Sequence, residues 1–153
     1  MKRVLPYGAD ILATIVFSVL SITLTHAGEG DLDLRAKLIW ATNGDKPKDP
    51  RLKEIDPKTA EKLAGVFKWK NYFEVGRTNF TVTVGATRKV TMSPKCDVKV
   101  QNLGGSKIEV ELIGEGKQLV KKRQAIKAGE LVVLAGPDKN DTAWFVILHQ
   151  HER

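Results

Sequence analysis

The stretch Cys96 to Ile113, CDVKVQNLGGSKIEVELI, alternates apolar and polar residues on both sides of a Gly-Gly pair. Alternation with a period of two marks a half-buried strand, so the stretch predicts a β-hairpin. Cys96, Val98 and Val100 share one face of the first strand; Ile108, Val110 and Leu112 share one face of the second. The turn decides whether these faces coincide. A two-residue Gly104-Gly105 turn sets Val100 opposite Glu109 and mixes them, whereas a three-residue loop from Leu103 to Gly105 pairs Val100 with Ile108 and Val98 with Val110. The expectation is the longer loop, with Gly105 left-handed and Lys99 opposite Glu109 on the wet face, a cross-strand ion pair worth ~0.2 to 1 kcal/mol.

Outside the hairpin, strand-like stretches recur at Tyr72 to Val75, Phe80 to Val84, Arg88 to Met92, Gln118 to Lys122, Leu131 to Leu134 and Ala143 to His149. Gly85, Ser93-Pro94, Gly114-Glu115-Gly116, Ala128-Gly129 and Gly136-Pro137-Asp138 separate them. That regular spacing predicts a mainly β protein, an antiparallel β-sandwich or barrel of about seven or eight strands. The last stretch, AWFVIL, is apolar on both faces and belongs at the centre of a sheet with cover on each side. Upstream, Leu34 to Thr42 is a first strand with imperfect alternation. Asn43 to Ile55, with two prolines and seven charged residues, is a long surface loop.

One helix is expected. Asp56 can cap its free amides, Pro57 suits its first position and Ile55 can staple onto Ala60. Ala60, Leu63, Ala64 and Phe67 form an apolar face directed at the sheet, so the helix should end near Phe67 or Lys68, with Gly65 weakening its second half.

The N-terminus has the three-part layout of a secretory signal peptide. Met1-Lys2-Arg3 is basic, Ile11 to Leu24 is apolar apart from Ser and Thr, and Thr25-His26-Ala27 places small residues at the third and last positions before Gly28. The apolar run is shorter than the ~20 residues of a spanning helix. The expectation is export, secreted or periplasmic, with cleavage after Ala27, a flexible leader over 28–33 and a single β-rich domain over 34–153. An uncleaved N-terminal membrane anchor is the alternative, because Asp10 precedes the apolar run and His26 adjoins the cut. Loss of Lys2, Arg3 and Asp10 lowers the formal charge from +7 to +6. A basic surface favours anionic partners, whether envelope phosphates, acidic glycans or nucleic acid, although interspersed signs also fit plain solubility.

The residue inventory is poor in reactive groups. Cys96 is the single cysteine, so no intramolecular disulfide forms, and its inward position predicts a small buried hydrophobe. His149 and His151 are the histidines beyond Ala27; on an extended segment their rings share one side, half of a metal site without a second half. A blue-copper set fails on order, since Met92 precedes Cys96 and the next histidine is His149. Gly-x-Ser-x-Gly is absent, Gly114-Glu115-Gly116-Lys117 lacks the spacing of a phosphate loop, and Glu109 and Glu111 fall on a polar strand face. The expectation is no catalytic set, no cofactor and no metal.

The densest unusual patch is Phe67-Lys68-Trp69-Lys70-Asn71-Tyr72-Phe73, with four of the eight aromatics beyond Ala27 interleaved with lysines. Lys68, Trp69, Lys70 and Tyr72 form a candidate surface for stacking on bases or sugars while pairing with phosphates; packing of the helix end is the competing account. Lys121-Lys122-Arg123 is a second basic cluster suited to a solvated strand end. Asn79-Phe80-Thr81 and Asn140-Asp141-Thr142 match the glycosylation sequon, which matters only in a glycosylating host.

The runs LIWATNGDKPKDPRLKEIDP, FKWKNYFEV, NLGGSKIEVELIGEGKQLVKK and NDTAWFVIL make the chain resemble a group of small exported bacterial proteins of uncharacterised function. The resemblance implies export and one domain, and it transfers no site residue. The functional expectation is an exported non-enzymatic binding or accessory module whose partner is a protein or an envelope component. Two alternatives are an anionic-polymer binder using the basic-aromatic patch, and a metal-dependent enzyme at His149 and His151.

Overall fold

A computed structural model describes residues 30–137 and 140–151. The described chain runs β1 (Leu32–Thr42), β2 (Lys53–Glu54), α1 (Pro57–Ala64), β3 (Asn71–Val82), β4 (Thr87–Ser93), β5 (Cys96–Gly104), β6 (Lys107–Gly114), β7 (Lys117–Ala125), β8 (Val132–Ala135) and β9 (Thr142–Gln150). The strands form two antiparallel sheets, ordered β2-β3-β1-β9-β8 and β4-β5-β6-β7. This is the expected mainly β architecture in its sandwich form, with open edges and no closed barrel. The signal segment and its cleavage site lie outside the described residues. No helix among the described residues is long and apolar enough to cross a membrane.

The expected inward face of the hairpin is the core of the sandwich. Cys96, Val98, Val100, Ile108, Val110 and Leu112 are buried against Leu34, Ala36, Phe80, Val146 and Leu148 of the other sheet. The register differs from the expected one. Gly105 and Ser106 occupy the turn with φ of 57° and 58°, the backbone of a primed two-residue hairpin turn, and the ladder slips between Asn102 and Gly104. Val100 therefore faces Val110 and Val98 faces Leu112, two residues from the expected pairs. A shift of two preserves every side chain's face. Lys99 meets Glu111 at 3.6 Å in place of Glu109, which instead takes Lys121 at 3.0 Å and Arg123 at 2.6 Å.

Three other boundaries move. The leader expected over 28–33 gives way to β1 at Leu32, which is buried, and Asp33 pairs with Thr81. The two strands expected at Tyr72 to Val75 and Phe80 to Val84 are one strand, β3. Its partner β1 shifts register between Leu38 and Ile39, opposite Gly76 and Glu74, so Val75 is an extra residue that reverses the inward parity. Phe73 and Phe80 consequently face the same side although seven positions separate them. The helix ends at Ala64 with Gly65 as its cap, earlier than Phe67 or Lys68.

Helix α1 starts as its sequence requires. Asp56 Oδ1 accepts the Thr59 N–H at 2.9 Å, and Pro57 occupies the first turn. Leu63 is buried, and Ala60 and Phe67 pack with it on Ile39, Ala41, Phe145 and Ile147, the outer face of the five-stranded sheet. Ala64, expected on that face, is exposed. β9 thus carries Val146 and Leu148 into the sandwich and Phe145 and Ile147 under the helix, the two-sided cover its sequence demands.

Candidate functional site

One end of the sandwich is filled and the other is not. At the filled end, Leu32, Leu34, Phe80, Val82, Ile108 and Ile126 close the interior. At the opposite end the inward positions are two tryptophans on one sheet and small residues on the other. The space between is an apolar cleft of about 600 Å³, lined chiefly by Leu38, Trp40, Val75, Cys96, Gly114, Leu119 and Trp144. Volumes of roughly 300 to 1,000 Å³ are typical of small-molecule sites.

Trp40 and Trp144 are directly paired across β1 and β9, so their rings leave the sheet on the same face. They then diverge. Trp40 leans over β3, its ring 5.8 Å from that of Phe73. Trp144 leans the other way, over Gly136 beyond β8, where an added Cβ would overlap the indole. Gly136 also donates its N–H to the Trp144 carbonyl at 2.9 Å. Splayed in this way, the two indoles leave the floor between them open.

The roof is low in volume for an equally local reason. Cys96 and Gly114 face each other across β5 and β6. A Cβ on Gly114 would lie 2.5 Å from Leu119 Cδ1 and 3.6 Å from the Trp144 ring. Leu119 falls where the β6–β7 register shifts, and the shift lets it cover Gly114. At the mouth, Lys95 and Glu115 form an ion pair at 3.4 Å, and the Glu115 N–H donates to the Lys95 carbonyl at 2.9 Å. Ser93 Oγ accepts the Lys95 N–H at 3.2 Å.

Cys96, expected as a buried small hydrophobe, is buried and unpaired. Burial, with a smaller push from the Asp97 carboxylate, raises its thiol to about 11. Burial thus favours the protonated thiol as a wall of the cleft at physiological pH. Native protein at pH 8 is expected to alkylate at Cys96 at least tenfold more slowly than unfolded protein, measured with iodoacetamide and mass spectrometry; equal rates would show an exposed thiolate.

The basic-aromatic patch is divided by the fold. Lys68 and Lys70 are exposed and Trp69 is half-buried. Tyr72 is buried, its O–H donating to the Phe67 carbonyl at 3.0 Å, and the Phe67 ring lies 4.4 Å from that of Phe145. Phe67, Trp69 and Tyr72 pack beneath the helix, whereas Phe73 turns to the cleft side with Trp40. The two lysines stand in water, and the Tyr72 ring is buried away from any base or sugar.

His149 and His151 do share one side, as the strand period requires, with rings stacked 6.4 Å apart. Among the described residues no group of three or more His, Cys, Asp or Glu side chains could hold a metal ion. The neighbours are cations: Arg35 Nη2 hydrogen-bonds His151 Nε2. Burial first, then Lys37, Arg35 and His151, lowers the His149 pKa, against a weaker opposite effect from Asp56. The folded state thus binds a proton at His149 less readily than the unfolded chain does. Its effect on stability is absent above the unfolded value near 6.5 and becomes destabilising as pH falls from there towards the folded value. Urea midpoints are expected to drop on acidification below about pH 6.5, less steeply in His149→Phe; parallel pH profiles would refute the assignment.

The second basic cluster is likewise dispersed. Arg123 and Lys121 pair with Glu109 and hold its carboxyl below the usual range. Lys122 turns inward, Nζ donating to the Val133 carbonyl of β8 at 3.1 Å, and burial lowers its pKa. An inward lysine on the edge strand β7 also protects that edge from pairing with another chain.

Fold and cleft together define an open β-sandwich with an apolar pocket at one end. No family model matches the chain, and neither a curated protein nor a solved structure does. The expected patch is not the place where residues converge on a cavity. Trp40, Gly114, Leu119, Gly136 and Trp144 carry that role. Their sequence signal is faint: two tryptophans at inward strand positions, in a chain whose other inward positions are mostly aliphatic.

Proposed function

We propose that this protein is an exported, non-enzymatic binding module of the cell envelope or periplasm that holds an apolar ligand group in the cleft between Trp40 and Trp144. The observation that carries the reading is the cleft of about 600 Å³ in a sandwich otherwise packed with large aliphatic residues. Such a void costs stability, because its walls forgo van der Waals contacts that a larger side chain would supply. A ligand restores those contacts. The chemistry of the walls supports binding over turnover: the Cys96 thiol stays protonated and the Lys95 and Glu115 charges pair with each other. The N-terminal signal layout supports an envelope or extracellular setting.

N-phenyl-1-naphthylamine, a neutral fluorescent probe, is expected to bind saturably with one-to-one stoichiometry and to quench tryptophan emission by energy transfer. Val75→Trp and Leu119→Trp place bulk in the cleft from half-exposed positions, so folding should survive, and each should weaken the probe at least tenfold. Probe binding that is absent, or unchanged in both folded variants, would remove the cleft as the site.

A further inference from the structure

We propose that the group held in the cleft is the uncharged hydrocarbon chain of an amphiphile, with its polar head left outside at the Lys95–Glu115 rim. This rests on the cleft being a binding site and goes further by naming what enters it. Four observations narrow the occupant.

The floor strands β1 and β9 are each paired on both sides. A peptide could not add its backbone to these floor strands, and amide groups lying between the indoles would be unpaired; the edge strands β4 and β7 contribute only Ser93 and Leu119 to the outer walls of the cleft. The hydroxyl-bearing side chains along the walls already have partners, and the two indole N–H groups are the donors the walls have left to offer. Ser93 Oγ accepts from the Lys95 amide, Thr142 has its own partner, and the Cys96 thiol is held neutral. A sugar or a polar ring would lose its water shell and gain little in return.

Charge gives the third constraint. Lys95 and Glu115 compensate each other at the mouth, with side chains 79 and 74% exposed. Each is paired with the other, so a charged end entering first would be desolvated without a free counter-charge. The same pair leaves both signs in water beside a head group. Shape is the fourth. The cleft is a slot between two sheets, which pack about 10 Å apart, and it is bounded sideways by the two diverging rings. An alkyl chain fills such a slot without needing a single hydrogen bond.

The test uses the full chain and displaces N-phenyl-1-naphthylamine with straight-chain alcohols of increasing length, each below its solubility limit. Affinity is expected to rise about three- to fourfold per added methylene while the chain lies within the cleft, then to level off. Dodecanol, dodecanoate and dodecyltrimethylammonium should agree within about threefold at 150 mM salt, since the heads stay outside and exposed charges are screened. Leu119→Trp should bring the plateau to a shorter chain. Phosphatidylcholine vesicles serve as a second arm: co-sedimentation identifies bilayer lipid as the chain's source, and binding of monomers alone identifies a free amphiphile. Displacement independent of chain length, or strong binding confined to the carboxylate, would overturn the inference. If the naphthylamine binds and alkyl chains fail to displace it, the binding module stands and the amphiphile falls; if the naphthylamine itself does not bind, both fall.

Discussion

Val98→Asp is expected to unfold the domain. Val98 is 0% exposed, in the middle of the β5–β6 pair, facing Leu112 on β6 and Val90 on β4. A carboxylate there meets only hydrocarbon, and an unpaired buried charge costs on the order of 3 to 5 kcal/mol or forces protonation at a comparable cost. That is a large share of the roughly 5 to 15 kcal/mol by which a domain is stable. Circular dichroism of the purified variant at pH 7 should show loss of the cooperative thermal transition. Lys99→Asp, one residue along on the wet face, exchanges the pairing with Glu111 for an exposed like-charge contact and sets a carboxylate opposite Lys89, and should cost about 1 kcal/mol or less. Equal effects at the two positions would mean that the inward face is assigned to the wrong residues.

The second large effect is expected at Asn102. Its side chain is wholly buried and satisfied: Nδ2 donates to the Gly30 and Val82 carbonyls at 2.9 Å each, and Oδ1 accepts the Gly104 N–H at 2.9 Å. Its backbone accepts from Gly85 at 2.8 Å and donates to Ala86 at 3.0 Å. One residue therefore ties the central hairpin to the start of β1 and to the corner where β3 passes into β4. Asn102→Leu keeps the branched shape but strands three main-chain groups, the buried Val82 carbonyl and the part-buried Gly30 carbonyl and Gly104 N–H, and a buried group without a partner costs about 1 to 3 kcal/mol. Some relaxation is expected, so a net loss near 3 kcal/mol, seen as a lower urea midpoint at unchanged slope, is the predicted result. A loss below about 1 kcal/mol would show that water takes over these bonds.

Asn102 also shows how the sequence misleads. It stands at the next inward position after Val100, where strict apolar alternation stops, and the loop expected over Leu103 to Gly105 follows it directly. In the structure the strand continues, and Leu103 is the residue squeezed out beside the turn. Ser106 then adopts a left-handed backbone that composition alone assigns to glycine. The expected register was off by two residues, yet the faces survived because side-chain direction repeats every two. At β3 the opposite happened. One extra residue, Val75, reversed the parity, and a continuous strand resembled two short ones.

The basic-aromatic patch illustrates a different limit. Lysine and aromatic residues in alternation are compatible with a ligand surface and with the packed end of a helix, and composition does not separate them. Burial of Tyr72 and the contact of Phe67 with Phe145 decide for packing at those residues.

By itself the sequence determined everything that local periodicity and local chemistry control. It specified strands with defined inner faces, a helix opened by Asp56 and Pro57, a cysteine turned inward, and a final strand apolar on both sides. Only the tertiary structure decided that one end of the sandwich stays open. That end is open because Trp40 leans to Phe73, Trp144 leans to Gly136, and Cys96 and Gly114 sit opposite with little volume of their own. These residues come from segments far apart in the chain. A repeat of two or of 3.6 says which way a side chain points and nothing about what waits on the other side.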